Sequence, residues 1–410
     1  MATSPGRVRT NSSVASTRRS FLAVAGGAIA GAPAASAQRT QVSQLPAGAP
    51  RKPGEDSPAF AKGKWSIQYN FDKDRESIEF GSLQFASPAR GIATAVKYKG
   101  GVPKDYLALR TTDGGATWAE TEIGRPAYSL YVLDESNAWI VCDNRLLYSD
   151  EGGARWNRIK LPDKKMLRVH FQSPTRGWAY GIGNVFYETS DGGGSWTPVK
   201  ESVELKLNKD NTLLSWMEFV SPRDGMLAGT SRRREEWNAY LPEWMLPERS
   251  TRRRLLPGVI ATLVTSDGGK TWKPSMTSAF GDLVKVRMKG FRGLGLTTYD
   301  DGFDWPSEVT LLNLRAGDSA SIFRKPQIHV TDVALIGEAG ILLAGIEAPG
   351  RLRMSAINGK VKAIYSPNTI DWYDMKVDYR AEGTHAQIAR AGDDHFWIVS
   401  NAGTILKLTP

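Results

Sequence analysis

The chain has 410 residues, of which 53 are basic and 43 acidic, giving a formal net charge of +10. Its one cysteine, Cys142, excludes an internal disulfide. Removing residues 1–37 takes away Arg7, Arg9, Arg18 and Arg19 but no acid, and the remaining +6 is too mild to argue for nucleic acid as a partner.

The first element is not part of a fold. Thr17-Arg18-Arg19-Ser20-Phe21-Leu22, the mild apolar run Ala23 to Ala37 and the closing Ala35-Ser36-Ala37 read as a twin-arginine export signal cleaved after Ala37. The rival reading is an uncleaved anchor, against which the segment is short and rich in Gly and Ala. No cysteine near the signal can carry a lipid. Residues 38–63, with Pro46, Pro50, Pro53 and Pro58, are expected to be a flexible leader.

From residue 64 onward the chain repeats itself. Thr111-Thr112-Asp113-Gly114-Gly115-Ala116-Thr117-Trp118 recurs as Thr189 to Trp196 and as Thr265 to Trp272, and a weaker copy runs from Ser149 to Trp156 with Glu151 and Arg155 at altered positions. Such repetition means repeated structural units. The carboxylates of Asp113, Asp191 and Asp267 can fold back onto nearby buried backbone N–H groups and hydroxyls, the Gly-Gly pair supplies positive φ, and Trp118, Trp196 and Trp272 pin the turn against the sheet. This is the Asp-box (BNR) repeat, and its role is structural.

A second phrase precedes the box: Phe85 to Gly91, Phe171 to Gly177 and Phe219 to Gly225 each read Phe-x-Ser-Pro-x-x-Gly, with Val132 to Ala138 a divergent copy. A unit is therefore inner strand, turn, second strand, third strand, box, outer strand. This predicts an all-β, seven-bladed β-propeller. Blades 1 to 4 take residues 76–125, 126–163, 164–203 and 204–280. Blade 5 is expected as Val284–Met288, Gly293–Thr298, Val309–Leu314 and Ser321–Arg324, and blade 6 as Val330–Ile336, Leu342–Ile346, Leu352–Ile357 and Val361–Tyr365. Thr298 to Trp305 carries Asp, Gly and Trp but follows a second strand, so it reads as an ordinary loop. Blade 7 has only Thr384–Ala389, His395–Ser400 and Thr404–Leu408, and Trp65 to Tyr69 is expected to supply its missing strand and close the ring.

Blade 4 is overlong. The Trp-to-Trp interval is 38 residues from Trp118 to Trp156, 40 from Trp156 to Trp196 and 76 from Trp196 to Trp272. The surplus, residues 231–258, holds Arg232, Arg233 and Arg234, then Trp237 and Trp244, then Arg252, Arg253 and Arg254. Exposed Arg with Trp has the composition of an interface hot spot, so these eight residues are the candidate partner-binding set. A lid lying on its own propeller is the equal alternative.

Chemistry is sparse. His170, His329, His385 and His395 lack metal-ligand spacing, no phosphate-binding glycine loop or nucleophile elbow occurs, and Asp371, Asp374, Asp393 and Asp394 read as surface-loop acids. The expectation is no catalytic residue, no cofactor and no metal.

The Asp-Gly-Gly-x-Thr/Ser-Trp boxes at Asp113, Asp191 and Asp267, the Arg176 to Gly181 run and the export signal together resemble the photosystem II stability/assembly factor family. The resemblance covers residues 64–410 and implies an exported, non-enzymatic propeller that binds assembling membrane-protein intermediates. It implies a protein partner and residence in the periplasm, or in the thylakoid lumen of a photosynthetic source; a monomer is expected, and the arginines of the insertion point to peripheral membrane contact. The alternative is a sialidase-like glycoside hydrolase or glycan-binding propeller, since Asp boxes occur there too.

Overall fold

A computed structural model describes residues 49–232, 257–299, 303–313, 317–347 and 357–409. Seven sheets follow one another along the chain, antiparallel but for one short parallel pair, Lys64 with Lys376 and Trp65 with Val377. Blade 1 is Glu76–Phe85, Gly91–Lys99, Val102–Thr111 and Ala119–Glu122; blade 2 is Ala127–Val132, Ala138–Cys142, Arg145–Ser149 and Asn157–Lys160. Blade 3 is Met166–Phe171, Gly177–Gly181, Phe186–Thr189 and Thr197–Pro198; blade 4 is Thr212–Phe219, Gly225–Ser231, Gly258–Thr265 and Lys273–Ala279. Blade 5 is Asp282–Lys289, Arg292–Thr298, Ser307–Asn313 and Asp318–Phe323. The seven first strands touch in succession around the ring, and the first blade touches the seventh.

Blade 7 consists of Ala386–Ala391, His395–Ser400 and Thr404–Thr409, completed by the N-terminal strand Lys64–Asn70. The closing pairs include Trp65 with Leu408 and Ile67 with Leu406. Trp65 is fully buried, and Gln68 accepts a hydrogen bond from Trp397 Nε1 at 3.1 Å. Packing starts earlier than the expected leader allows: Arg51 bonds backbone to backbone with Trp372 and Asp374, and Phe60 lies 4.7 Å from Tyr365 and 5.3 Å from Phe396.

Blade 6 departs from the expected strand order. Its strands are Ile328–Ile336, Gly340–Glu347, Gly359–Ser366 and the short outer Tyr373–Asp374. The segment expected as the fourth strand, Val361–Tyr365, is thus the third. The segment expected as the third, Leu352–Ile357, falls almost wholly outside the described residues. Thr298 to Trp305 does join a second strand to a third, Tyr299 N–H donating to Pro306 O at 2.8 Å.

The Phe-x-Ser-Pro-x-x-Gly phrase acquires a reason in packing between blades. Phe85 of blade 1 lies on Trp397 of blade 7, ring centroids 3.6 Å apart and planes 5° apart, and Phe219 of blade 4 lies on Trp178 of blade 3 at 5.0 Å. Each Phe also meets its own box Trp edge-on, Phe85 with Trp118 and Phe219 with Trp272. The closing glycine leaves room for that ring, since a Cβ on Gly225 would stand 2.5 Å from Phe219.

Candidate functional site

The boxes form a bonded turn on one face of the ring. In blade 3, Asp191 Oδ1 accepts from Ser195 N–H at 2.9 Å and from the Thr189 hydroxyl at 2.8 Å, while Oδ2 accepts from the Ser195 hydroxyl at 2.6 Å. Asp113 and Asp267 repeat this with Thr117 and Thr271. The Thr117 and Ser195 hydroxyls, with the backbone N–H groups behind them, hold Asp113 and Asp191 down at about 2. Burial works the other way at Asp267, yet its bonds to Thr271 still bring it to about 2.

Asp113 and Asp191 are exposed and Asp267 half-buried, and Thr117, Ser195 and Thr271, whose N–H groups they bind, are exposed, contrary to the expectation of buried donors. The buried polar group of the box is its first hydroxyl: Thr189 accepts from the buried Gly193 N–H at 2.9 Å, and Thr111 and Thr265 do the same. In the weak copy Ser149 keeps this bond to Gly153, and a Glu151–Arg155 ion pair at 3.8 Å replaces the carboxylate–hydroxyl bond.

Each of these four boxes is tied to the first turn of its own blade, as Gly192 N–H to Thr175 O shows at 2.8 Å, and two are tied to the preceding blade, Gly114 O accepting from Trp397 Nε1 at 3.1 Å and Gly268 O from Arg176 Nη2 at 2.8 Å. A further box was missed in the sequence. Ser366 to Trp372 follows the third strand of blade 6; Ser366 Oγ accepts from Thr369 N–H at 2.8 Å and Trp372 Nε1 donates to Thr369 O at 3.1 Å. It is one residue short, and Thr369, not glycine, takes the positive φ of 68°.

Of the candidate partner-binding set only Arg232 is described; its N–H donates to Asn211 O at 3.0 Å. Arg233, Arg234, Trp237, Trp244, Arg252, Arg253 and Arg254 lie outside the described residues. The flanking strands end at Ser231 and resume at Gly258, between the second and third strands of blade 4. The strand ends on either side of it, Ser231 and Gly258, lie on the face opposite the boxes.

The central channel gathers the titratable groups. A first strand has one edge unpaired with its own sheet, and an unsatisfied edge is costly when buried. At six of the seven joints a side chain of the preceding blade bonds to that edge. Gln84 bonds Leu130 O and Val132 N–H of blade 2, and the Tyr131 hydroxyl donates to Phe171 O of blade 3 at 2.7 Å. Glu218 of blade 4 accepts from Met288 N–H of blade 5 at 3.2 Å. Ser307 accepts from Val330 N–H of blade 6, Asp332 from Ile388 N–H of blade 7, and Gln387 donates to Gly81 O of blade 1.

Burial raises Glu218 against the pull of Arg287, and lowers Lys285 to about 8 against its ion pair with Asp332. Burial also takes His170 and His329 down to about 4 and lifts the Tyr180 hydroxyl to about 12. A tyrosine nucleophile needs the opposite shift and a free hydroxyl, so this Arg, Tyr and Glu grouping is suited to holding blades together.

Two hollows lie among the described residues, the first of them on the box face. One, of about 370 Å3, lies at the channel mouth among Phe85, Lys289, Arg390 and Asp393. The other, of about 590 Å3, lies between blades 2 and 3, where Lys160 and Lys164 flank Ser195 and Trp196.

No known protein-family profile matches the chain. A stretch of 184 residues, 43% of the chain, is 24% identical to the photosystem II assembly lipoprotein Ycf48 of Synechococcus sp. (strain CC9902), and spans 45% of that protein, under half its length. The structure of Ycf48 bound to a D1 peptide matches 84% of the chain and 98% of its own, with TM-score 0.54 and 14% identity. Ycf48 from Cyanidioschyzon merolae matches over the same shares, with TM-score 0.53 and 15% identity. Sequence and fold together make this seven-bladed chain similar to the photosystem II assembly factors, as the resemblance carried by its boxes implied.

Proposed function

We propose that the chain is an exported, non-enzymatic scaffold that binds a subunit or intermediate of a membrane-protein complex during assembly. The observation that carries this reading is the likeness over the whole ring to Ycf48, one of whose structures holds a D1 peptide. The twin arginines Arg18 and Arg19 supply the export route, which suits a ring closed by its two ends and folded before transport. Its destination is the periplasm, or the thylakoid lumen of a photosynthetic source. The docking element is the blade 4 insertion, with Arg232, Arg233, Arg234, Arg252, Arg253 and Arg254 steering toward acidic loops or lipid phosphates and Trp237 and Trp244 as anchors.

The test is made in the source organism. Cells lacking the gene are compared with cells carrying the wild type, or a form with residues 232–254 replaced by a short Gly-Ser turn, by native gel separation of membrane complexes. The reading expects one complex to stall as a smaller precursor without the gene, the wild-type protein to co-migrate with that precursor, and the replacement to fail in both. An unaltered set of complexes in the deletion strain would overturn it.

A further inference from the structure

We propose that the channel mouth on the box face is an oxyanion site, where a carboxylate or phosphate takes the place that the Asp393 side chain holds between Lys289 and Arg390. This goes beyond the scaffold reading and does not depend on it. Two cations from different blades converge on blade 6 and are fixed there: Lys289 Nζ donates to Gly337 O at 3.0 Å and Arg390 Nη1 to Leu335 O at 2.9 Å. Their heads therefore stay in place whatever Asp393 does.

Asp393 is held loosely. Its carboxylate stands 3.4 Å from Lys289 Nζ and 3.6 Å from Arg390 Nη1, well beyond the ~2.7–2.9 Å of a strong charge-assisted bond. It is half exposed and follows Gly392, which takes a φ of +69° with nothing near its Cβ position, so the turn can swing outward without a clash. Among the described residues, withdrawing that carboxylate leaves neither cation with a carboxylate in ion-pair contact.

Of the described acids behind the mouth, Glu218 feels the charge of Arg390, but it and Asp332 are held by other groups. Two residues along the strand from Lys289, Arg287 lies over the Trp216 ring at 4.7 Å and is 3.9 Å from Glu218. Glu218 is already engaged by Met288 N–H and Trp216 Nε1, each at 3.2 Å. Asp332 is engaged by Lys285 and by the N–H groups of Val333 and Ile388. A hollow of about 370 Å3, walled on one side by Phe85 and Ala86, admits an oxyanion and one side chain and excludes a folded domain. The ligand is thus a small anion or the end of a chain.

The experiment is calorimetric titration of the purified chain at low ionic strength, where screening is weak. The probes are inorganic phosphate and the peptide Ala-Leu-Ala, with a free or an amidated C-terminus. Asp393→Asn removes the internal occupant and should bind about tenfold more tightly than the wild type, the scale of one charged contact. Lys289→Gln and Arg390→Gln, each checked for native circular dichroism, should lose about tenfold. Binding of phosphate alone assigns a free anion, and binding of the free-acid peptide but not its amide assigns a chain terminus. Equal affinities of wild type and Asp393→Asn, or no binding of any probe to Asp393→Asn, would overturn the site. No partner protein is involved, so this failure would leave the scaffold reading standing, and the reverse also holds.

Discussion

Phe171 of blade 3 lies flat on Trp139 of blade 2, ring centroids 3.8 Å apart and planes 5° apart, with both rings fully buried. Because the stack crosses a blade boundary, Phe171→Ala should open a void between two sheets and destabilise by about 3–5 kcal/mol. Urea unfolding monitored by tryptophan fluorescence checks this, and a loss below about 1 kcal/mol would remove the stack from the account of ring cohesion.

Within one box, two neighbouring polar residues should behave differently. Thr189→Val leaves the buried Gly193 N–H without its acceptor and should cost about 1–3 kcal/mol. Asp191→Ala removes bonds that water can replace, and should lower the melting temperature less. Finding the aspartate variant to be the weaker of the two would reverse the assignment of the buried anchor.

Acid should weaken the fold in two stages. His170 and His329 have folded values near 4, below the ordinary 6.5, so the unfolded chain binds more protons between those limits and stability falls as pH drops from about 6.5 to about 4. The box carboxylates, folded near 2 against an ordinary 3.8, contribute stability above about 4 that is lost as pH falls towards 2. Melting curves across this range, repeated on His170→Gln with His329→Gln, should show the upper stage shrink; an identical slope in the double variant would assign it elsewhere.

Ring closure depends on the N-terminal strand. A chain beginning at Asn70 exposes the edge of Thr404–Thr409 and takes from Trp397 its bond to Gln68. It should lose cooperative unfolding and associate through the open edge. Size-exclusion chromatography is the check, and a monomer with wild-type melting would show that six closed blades suffice.

Blades 1 to 4 could be counted from sequence because their boxes force particular residues: Gly192 and Gly193 take φ of 76° and 101°, which few other residues tolerate. Blade 6 could not be ordered correctly. Its box has Asn368 in the aspartate's role and Thr369 in a glycine's, and alternation alone did not separate Val361–Tyr365 from Leu352–Ile357 as its third strand. Asp393 read as an ordinary loop acid because Lys289 and Arg390, which give it meaning, lie on blades 5 and 7. The edge-satisfying residues were hidden for another reason: amide, phenol, carboxylate and hydroxyl do the same task in successive blades, so no repeated letter betrays it.

That chemical variety makes the ring unshuffleable. Gln84 offers both a donor and an acceptor, Tyr131 a donor, and Glu218 and Asp332 only acceptors, each matched to the carbonyl or N–H that the next blade presents. Blades that look interchangeable in their boxes carry unlike plugs for unlike sockets. Exchanging blade 3 with blade 5, strand for strand, would leave the Tyr131 phenol facing Met288 N–H and the Glu218 carboxylate facing Phe171 O. A chain built by duplicating one unit would need these joints to diverge, one by one, before its order became fixed.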